Sequence, residues 1–136
     1  MRETVAGPIV GTFLNVLEAA VWIRKFYPYI QSYLDPPKTL ETLQRSALSY
    51  RRGYQVHHIV EQTAARREGF PRALIDGRAN LVSIPTFRHW DVTRWYMVSN
   101  AEFGGLSPRE YLKGKDWNER YRVGLFALNI FGILEP

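Results

Sequence analysis

The sequence predicts an α+β domain, mostly helical, organised around two short antiparallel strands and a helix. Three observations carry this reading. Two brief β-branched and aromatic runs lie in the middle of the chain, bounded by Gly and Pro. Helical apolar stripes and capping signals flank them on both sides. The 136 residues, 46% hydrophobic and 14% aromatic, suffice for one core and are too few for two.

From Pro8 to Lys25 the apolar positions Val10, Phe13, Leu14, Leu17, Ala20 and Val21 repeat with helical spacing. Pro8 suits an early helical position. Pro28 is expected to stop or kink the helix just after Arg24-Lys25, whose charges suit a C-terminus. Val16, Trp22 and Ile23 widen the apolar surface, as in a helix that packs on two sides or meets a partner. Asp35-Pro36-Pro37-Lys38 reads as a stiff break, separating an N-terminal segment 1–38 from a domain spanning 39–136. A second helix follows Thr39 as N-cap, with Leu40, Leu43, Ala47 and Leu48 on its buried side. Residues 54–60 and 81–84 read as strands, joined by a polar, turn-rich stretch from Glu61 to Ala79 that bends at Gly69-Phe70-Pro71 and Asp76-Gly77. Thr86 is the expected cap of a helix running to about Val98. Ser107-Pro108-Arg109-Glu110 combines a capping box with Pro at the first helical position. Asp116 caps a last helix with Trp117, Tyr121, Leu125 and Leu128 as its expected buried face.

Composition excludes several function classes. With no cysteine, the chain has no disulfide framework, no Cys-based zinc or iron–sulfur site and no thiol nucleophile. No Gly-rich phosphate loop or dinucleotide fingerprint is present, so no dinucleotide cofactor is expected. Glu3 stands where a signal peptide would be basic, and Asn15 and Glu18 interrupt the apolar run 5–23, which argues against a signal peptide and against a membrane span. The net charge is +5, and Arg outnumbers Lys 14 to 4. Guanidinium forks match phosphate oxygens, so the balance leans toward a nucleic-acid partner. Residues 51–94 carry 8 basic and 4 acidic side chains. Arg51-Arg52, Arg66, Arg67, Arg72, Arg78, Arg88 and Arg94 are the phosphate-contact candidates there, with Arg88 and Arg94 flanking His89 as the leading pair.

All three histidines, His57, His58 and His89, fall in the strand–strand–helix segment. If the strands pair antiparallel and the helix folds back across them, His89 approaches the end of the first strand. Imidazole is both a common metal ligand and a common general base near neutral pH. Two nitrogen ligands, one basic imidazole and nearby Arg side chains would suit a divalent cation gripping a phosphate while a water is deprotonated.

The run Tyr54-Gln55-Val56-His57-His58-Ile59-Val60, then Asn80-Leu81-Val82-Ser83-Ile84-Pro85, then His89 resembles the HNH nuclease motif of the ββα-metal (His-Me finger) superfamily. It is similar in particular to nuclease domains of bacterial polymorphic toxins, whose motifs often carry His-His in place of Asp-His. The resemblance covers residues 53–97, and more loosely the tail to Pro136. It implies a ββα-metal finger within the 39–136 domain and assigns roles by position. His58 matches the general base, Asn80 the residue that holds the metal-site loop and orients that base, and His57 and His89 the metal ligands. Neighbours on an ideal strand point to opposite faces, so His57 and His58 meeting at one site calls for a strand end or a bulge. Glu61, three residues past His58, is a further orienting candidate.

The implied function is metal-dependent hydrolysis of phosphodiester bonds in DNA, as the toxic domain of an antibacterial effector with a cognate immunity protein. Such a domain is made in the bacterial cytoplasm and delivered by a secretion system into a target cell. One divalent ion is implied, with Mg, Mn, Zn and Ni all open. Alternatives are an RNase toxin on the same fold, a non-catalytic nucleic-acid-binding module with a structural metal, and a membrane-active toxin working through residues 5–23.

Overall fold

A computed structural model describes residues 7–136, with side chains from residue 15 onward. The side chains of Val10, Phe13 and Leu14 therefore lie outside the described residues, as do Glu3 and Val5 altogether. The chain is α+β and mostly helical, with one two-stranded antiparallel sheet, in agreement with the expected class. In order, the elements are α1 (Gly7–Tyr33), α2 (Leu40–Ser46), β1 (Tyr54–His58), α3 (Gln62–Arg67), α4 (Arg72–Ile75), β2 (Leu81–Pro85), α5 (Thr86–Met97), α6 (Pro108–Tyr111) and α7 (Trp117–Ile130), with single 3-10 turns at Arg78–Asn80 and Ala101–Phe103.

Helix α1 departs from expectation in two ways. It runs through Pro28 to Tyr33. Proline removes one helical hydrogen bond, but here tertiary contacts hold the turns beyond it. Ser32 is buried and donates to the Gly53 carbonyl at 2.7 Å, and the Tyr29 ring stacks on Phe87 with centroids 5.9 Å apart. Gly53 (φ +90°) lies so close to Pro28 that a Cβ there would stand 2.4 Å from the Pro28 carbonyl oxygen. The second departure is the stripe itself. Leu17, Ala20 and Val21 are exposed, and among the described side chains of α1 burial begins only at Phe26.

The caps of α2, α6 and α7 are those the sequence marks. Thr39 accepts from the Thr42 amide, Ser107 and Glu110 form a reciprocal capping box, and Asp116 accepts from the Glu119 amide. Thr86 is not a cap. Pro85 holds that position, while the Thr86 amide donates to the Gly53 carbonyl at 3.0 Å and its hydroxyl is buried without a partner. The stretch 61–79 is more ordered than expected: α3 and α4 bury Ala65 and Ile75 against Val60, with Phe70 and Trp117 closing this small second core.

Strands β1 and β2 pair from Tyr54↔Pro85 to His58↔Leu81 without a bulge. The inner face of β2 contributes Val82 and Ile84 to the main core, where α5 adds Val92 and Tyr96 and α7 adds Val123, Ala127 and Leu128. The buried face of α7 is thus rotated from the expected one: Leu128 is buried as expected, but Arg120, Val123, Gly124 and Ala127 are buried with it, whereas Trp117, Tyr121 and Leu125 are only half-buried. Gly124 causes this rotation by letting the helix backbone rest against residue 59. A Cβ at Gly124 would stand 2.1 Å from the Ile59 carbonyl oxygen. After α7 the chain returns beside residue 38, the Glu135 amide donating to the Lys38 carbonyl at 2.9 Å.

Because that overlap is with backbone, it cannot be relieved by a rotamer change. Gly124→Ala should lower unfolding stability by about 2–3 kcal/mol in urea denaturation. A change under about 0.5 kcal/mol would contradict the packing described.

Candidate functional site

His57 and His89 meet beside the end of β1, His58 lines the same open cleft, and each of the three sits in a different environment. His57 points inward, 6% exposed, and its ring lies edge-on to His89 on the first turns of α5, with centroids 5.1 Å apart. The His57 Nε2 is buried and has no hydrogen-bond partner. Burial, with smaller contributions from His89 and His58, pushes the His57 imidazole down from its ordinary value of 6.5 to about 3. Burial also lowers His89, which is half-buried. Both rings are therefore neutral near pH 7, as metal ligands must be.

His58 is the last residue of β1 and points the other way. Its Nε2 lies 3.1 Å from Asp76 Oδ1, and Asp76 Oδ2 accepts from Arg72 Nε at 3.3 Å. The Asp76 carboxyl is held below its usual range, chiefly by the hydrogen bond to His58, with Arg72 adding to it. The alternation of an ideal strand is thus obeyed, and the two imidazoles still share a site. Being at the strand end, both line one open cleft of about 1090 Å³.

The Asn80 side chain makes no hydrogen bond to His58. It is buried, its Oδ1 accepting from the Val60 amide at 2.8 Å and its Nδ2 donating to the carbonyls of Ile75 at 2.8 Å and Val60 at 3.3 Å. It joins the exit of β1 to the end of α4, one residue before Asp76. Any influence on His58 passes through the loop it ties.

Glu61 also lines the cleft, but its carboxylate grips Arg109 in a two-pronged pair, at 3.0 Å to Nε and 2.5 Å to Nη2. Glu68 pairs with the buried Arg120 at 2.7 Å. Arg67 and Lys113 line the same cleft, and among the described residues no acidic group lies within ion-pair distance of either. The remaining arginines are placed differently. Arg88 donates to the Tyr33 carbonyl at 3.0 Å and lies over the Tyr33 ring, so it fastens α1 to α5. Arg66 borders a separate hollow with Phe70 and Arg72. Arg78 and Arg94 are exposed and outside the cleft lining, and Arg51 lies over Tyr54.

No family model, curated protein or solved structure matches this chain.

Among the described residues, no group of three or more His, Asp or Glu side chains is close enough to enclose a metal ion. The residues that would hold one are His57, whose buried Nε2 has no partner, and the adjacent His89; two imidazoles would suit a borderline divalent cation, with its other positions left to water and substrate oxygens. No described helix is long and apolar enough to cross a membrane.

Sequence reasoning brought together His57, His58, His89 and Asn80 but missed Asp76 and Arg109. Asp76 was legible only as half of a bend, Asp76-Gly77. Arg109 lies 48 residues from Glu61, inside a capping box that already explained it.

A buried imidazole depressed to about 3 makes the metal-free fold sensitive to acid. Between about pH 6.5 and 3 the unfolded chain takes up a proton at His57 that the folded chain refuses, so this contribution to stability is complete above the unfolded value and is lost as pH falls. Urea unfolding of the metal-free protein across this window should show stability rising with pH, and His57→Phe should flatten the rise. An unchanged slope in the variant would contradict the neutral, buried state of His57.

Proposed function

We propose that this chain is a metal-dependent endonuclease of HNH type that hydrolyses phosphodiester bonds in DNA, and that β1, β2 and α5 form its ββα-metal finger. One observation carries the reading. Two neutral imidazoles face each other in the same cleft in which a third, His58, is hydrogen-bonded to a carboxylate. These are the needs of hydrolysis at a phosphodiester: ligands for a cation, a base for water, and space for a polymer.

His57 and His89 would hold the ion, whose charge, when bound, offsets that of the phosphate and of the developing leaving oxygen. His58 takes a proton from a water. The water oxygen forms a bond to phosphorus as the bond to the leaving sugar oxygen breaks, and that oxygen ends protonated by solvent. Arg67, Lys113 and the donors of Arg109 not engaged by Glu61 face the cleft and hold non-bridging phosphate oxygens. Asn80 keeps the β1 exit and the α4 end at fixed separation, so that the base and its loop do not drift apart.

The resemblance to polymorphic-toxin domains supports the further reading of a toxic effector domain, delivered by a secretion system into a target cell. A cognate immunity protein would present acidic residues to the cleft's Arg67 and Lys113.

Purified protein with supercoiled plasmid and Mg²⁺, Mn²⁺, Zn²⁺ or Ni²⁺ should yield nicked or linear DNA. EDTA should abolish the product, and His58→Ala should reduce it at least about a hundredfold while remaining folded. Cleavage of RNA and not DNA would move the substrate. Salt-sensitive binding with no cleavage of either would replace the enzyme by a binding module.

A further inference from the structure

We propose that Asp76 is the positioning residue of this site: it fixes the His58 tautomer with the proton on Nε2, leaving Nδ1 bare as the atom that takes the proton from water. The inference rests on the reading of His58 as the base and specifies which ring nitrogen acts.

The geometry is direct. His58 Nε2 and Asp76 Oδ1 are 3.1 Å apart, the His58 side chain 21% exposed and that of Asp76 37%. An ionised carboxylate only accepts hydrogen bonds, so a neutral imidazole in this contact must present N–H at Nε2. The other nitrogen then carries the lone pair. Ring orientation is fixed by the same contact, because β1 pairing holds the His58 backbone opposite Leu81.

Asp76 is itself held from three sides. Its amide donates to the Arg72 carbonyl at 2.9 Å, and Arg72 Nε reaches its second carboxylate oxygen. The carbonyl of the preceding Ile75 is bonded by Asn80 Nδ2. The next residue, Gly77, runs so close to α4 that a Cβ would stand 2.7 Å from the Ala73 carbonyl oxygen. The carboxylate thus sits on a turn pinned by backbone packing, unlike Glu61, which is nearer in sequence but engaged by Arg109.

In the step itself, one proton leaves the water oxygen and arrives at His58 Nδ1, giving an imidazolium with N–H at both positions. Asp76 keeps its negative charge throughout and stabilises that imidazolium by a charge-assisted bond. Asp76 neither touches substrate nor exchanges a proton.

Two readouts test this. The first is long-range ¹H–¹⁵N correlation of the imidazoles in the metal-free protein at neutral pH, with His58 assigned by its loss in His58→Gln. In its neutral form the His58 ring should carry its proton on Nε2, and Asp76→Asn should mix or reverse the tautomers. The second is steady-state cleavage of a duplex by Asp76→Asn, with folding checked by its unfolding midpoint. The kcat should fall roughly ten- to a hundredfold with KM within about threefold of the parent. A bare Nε2 in the parent protein, or an Asp76→Asn variant with unchanged kcat, overturns the assignment. The tautomer is read without substrate, so a chain that cleaves no nucleic acid defeats the nuclease reading alone, and the spectrum still decides the role of Asp76.

Discussion

The site depends on one side-chain amide. Asn80 occupies the point where the chain enters β2, and its carboxamide binds three backbone groups belonging to two other segments. Its own backbone carbonyl takes a fourth, accepting from the Ile59 amide at 2.9 Å. Val60 and Ile75 are buried, so without Asn80 their polar backbone groups would have no water to turn to. Each such orphan costs about 1–3 kcal/mol. The amide therefore stabilises the fold and closes the stretch 61–79 into a loop of defined shape. That shape sets where Asp76 stands opposite His58.

Three imidazoles in one cleft acquire separate characters from what surrounds them. His57 is neutral because a charge there would be buried against His89 with no acid to answer it. His58 is matched to a carboxylate on a turn. His89 shares His57's edge but is more open. The differences among these identical side chains thus come from burial and from one acidic neighbour, both consequences of where β1 ends. Of the three acidic groups lining the cleft, Glu61 and Glu68 are occupied by Arg109 and Arg120, and Glu110 is engaged in the capping box with Ser107.

Much of this was legible because it is local. Caps at Thr39, Ser107 and Asp116 depend on residues three apart, and both strands announce themselves by β-branched composition and their Gly and Pro borders. The histidine trio and Asn80 could be grouped once the two strands were paired. What escaped depends on contacts distant in sequence. Helix α1 passes Pro28 because Gly53 and Phe87 brace it. Helix α7 turns its Gly124 edge inward because the Ile59 backbone occupies that space. Helices α3 and α4, six and four residues long, are too short to show a period and exist because Val60 and Trp117 give Ala65 and Ile75 a place to be buried. Asp76 and Arg109 acquire meaning only from partners 18 and 48 residues away.

The central claim is that the buried edge between His57 and His89 is a metal grip and that His58, though adjacent, is not part of it. Calorimetric titration with Ni²⁺ or Zn²⁺ tests this directly. One ion per chain should bind to the parent protein and to His58→Ala alike, and binding should be lost in His57→Ala and in His89→Ala. Retention of the ion by both of those variants, or its loss in His58→Ala alone, would contradict the account.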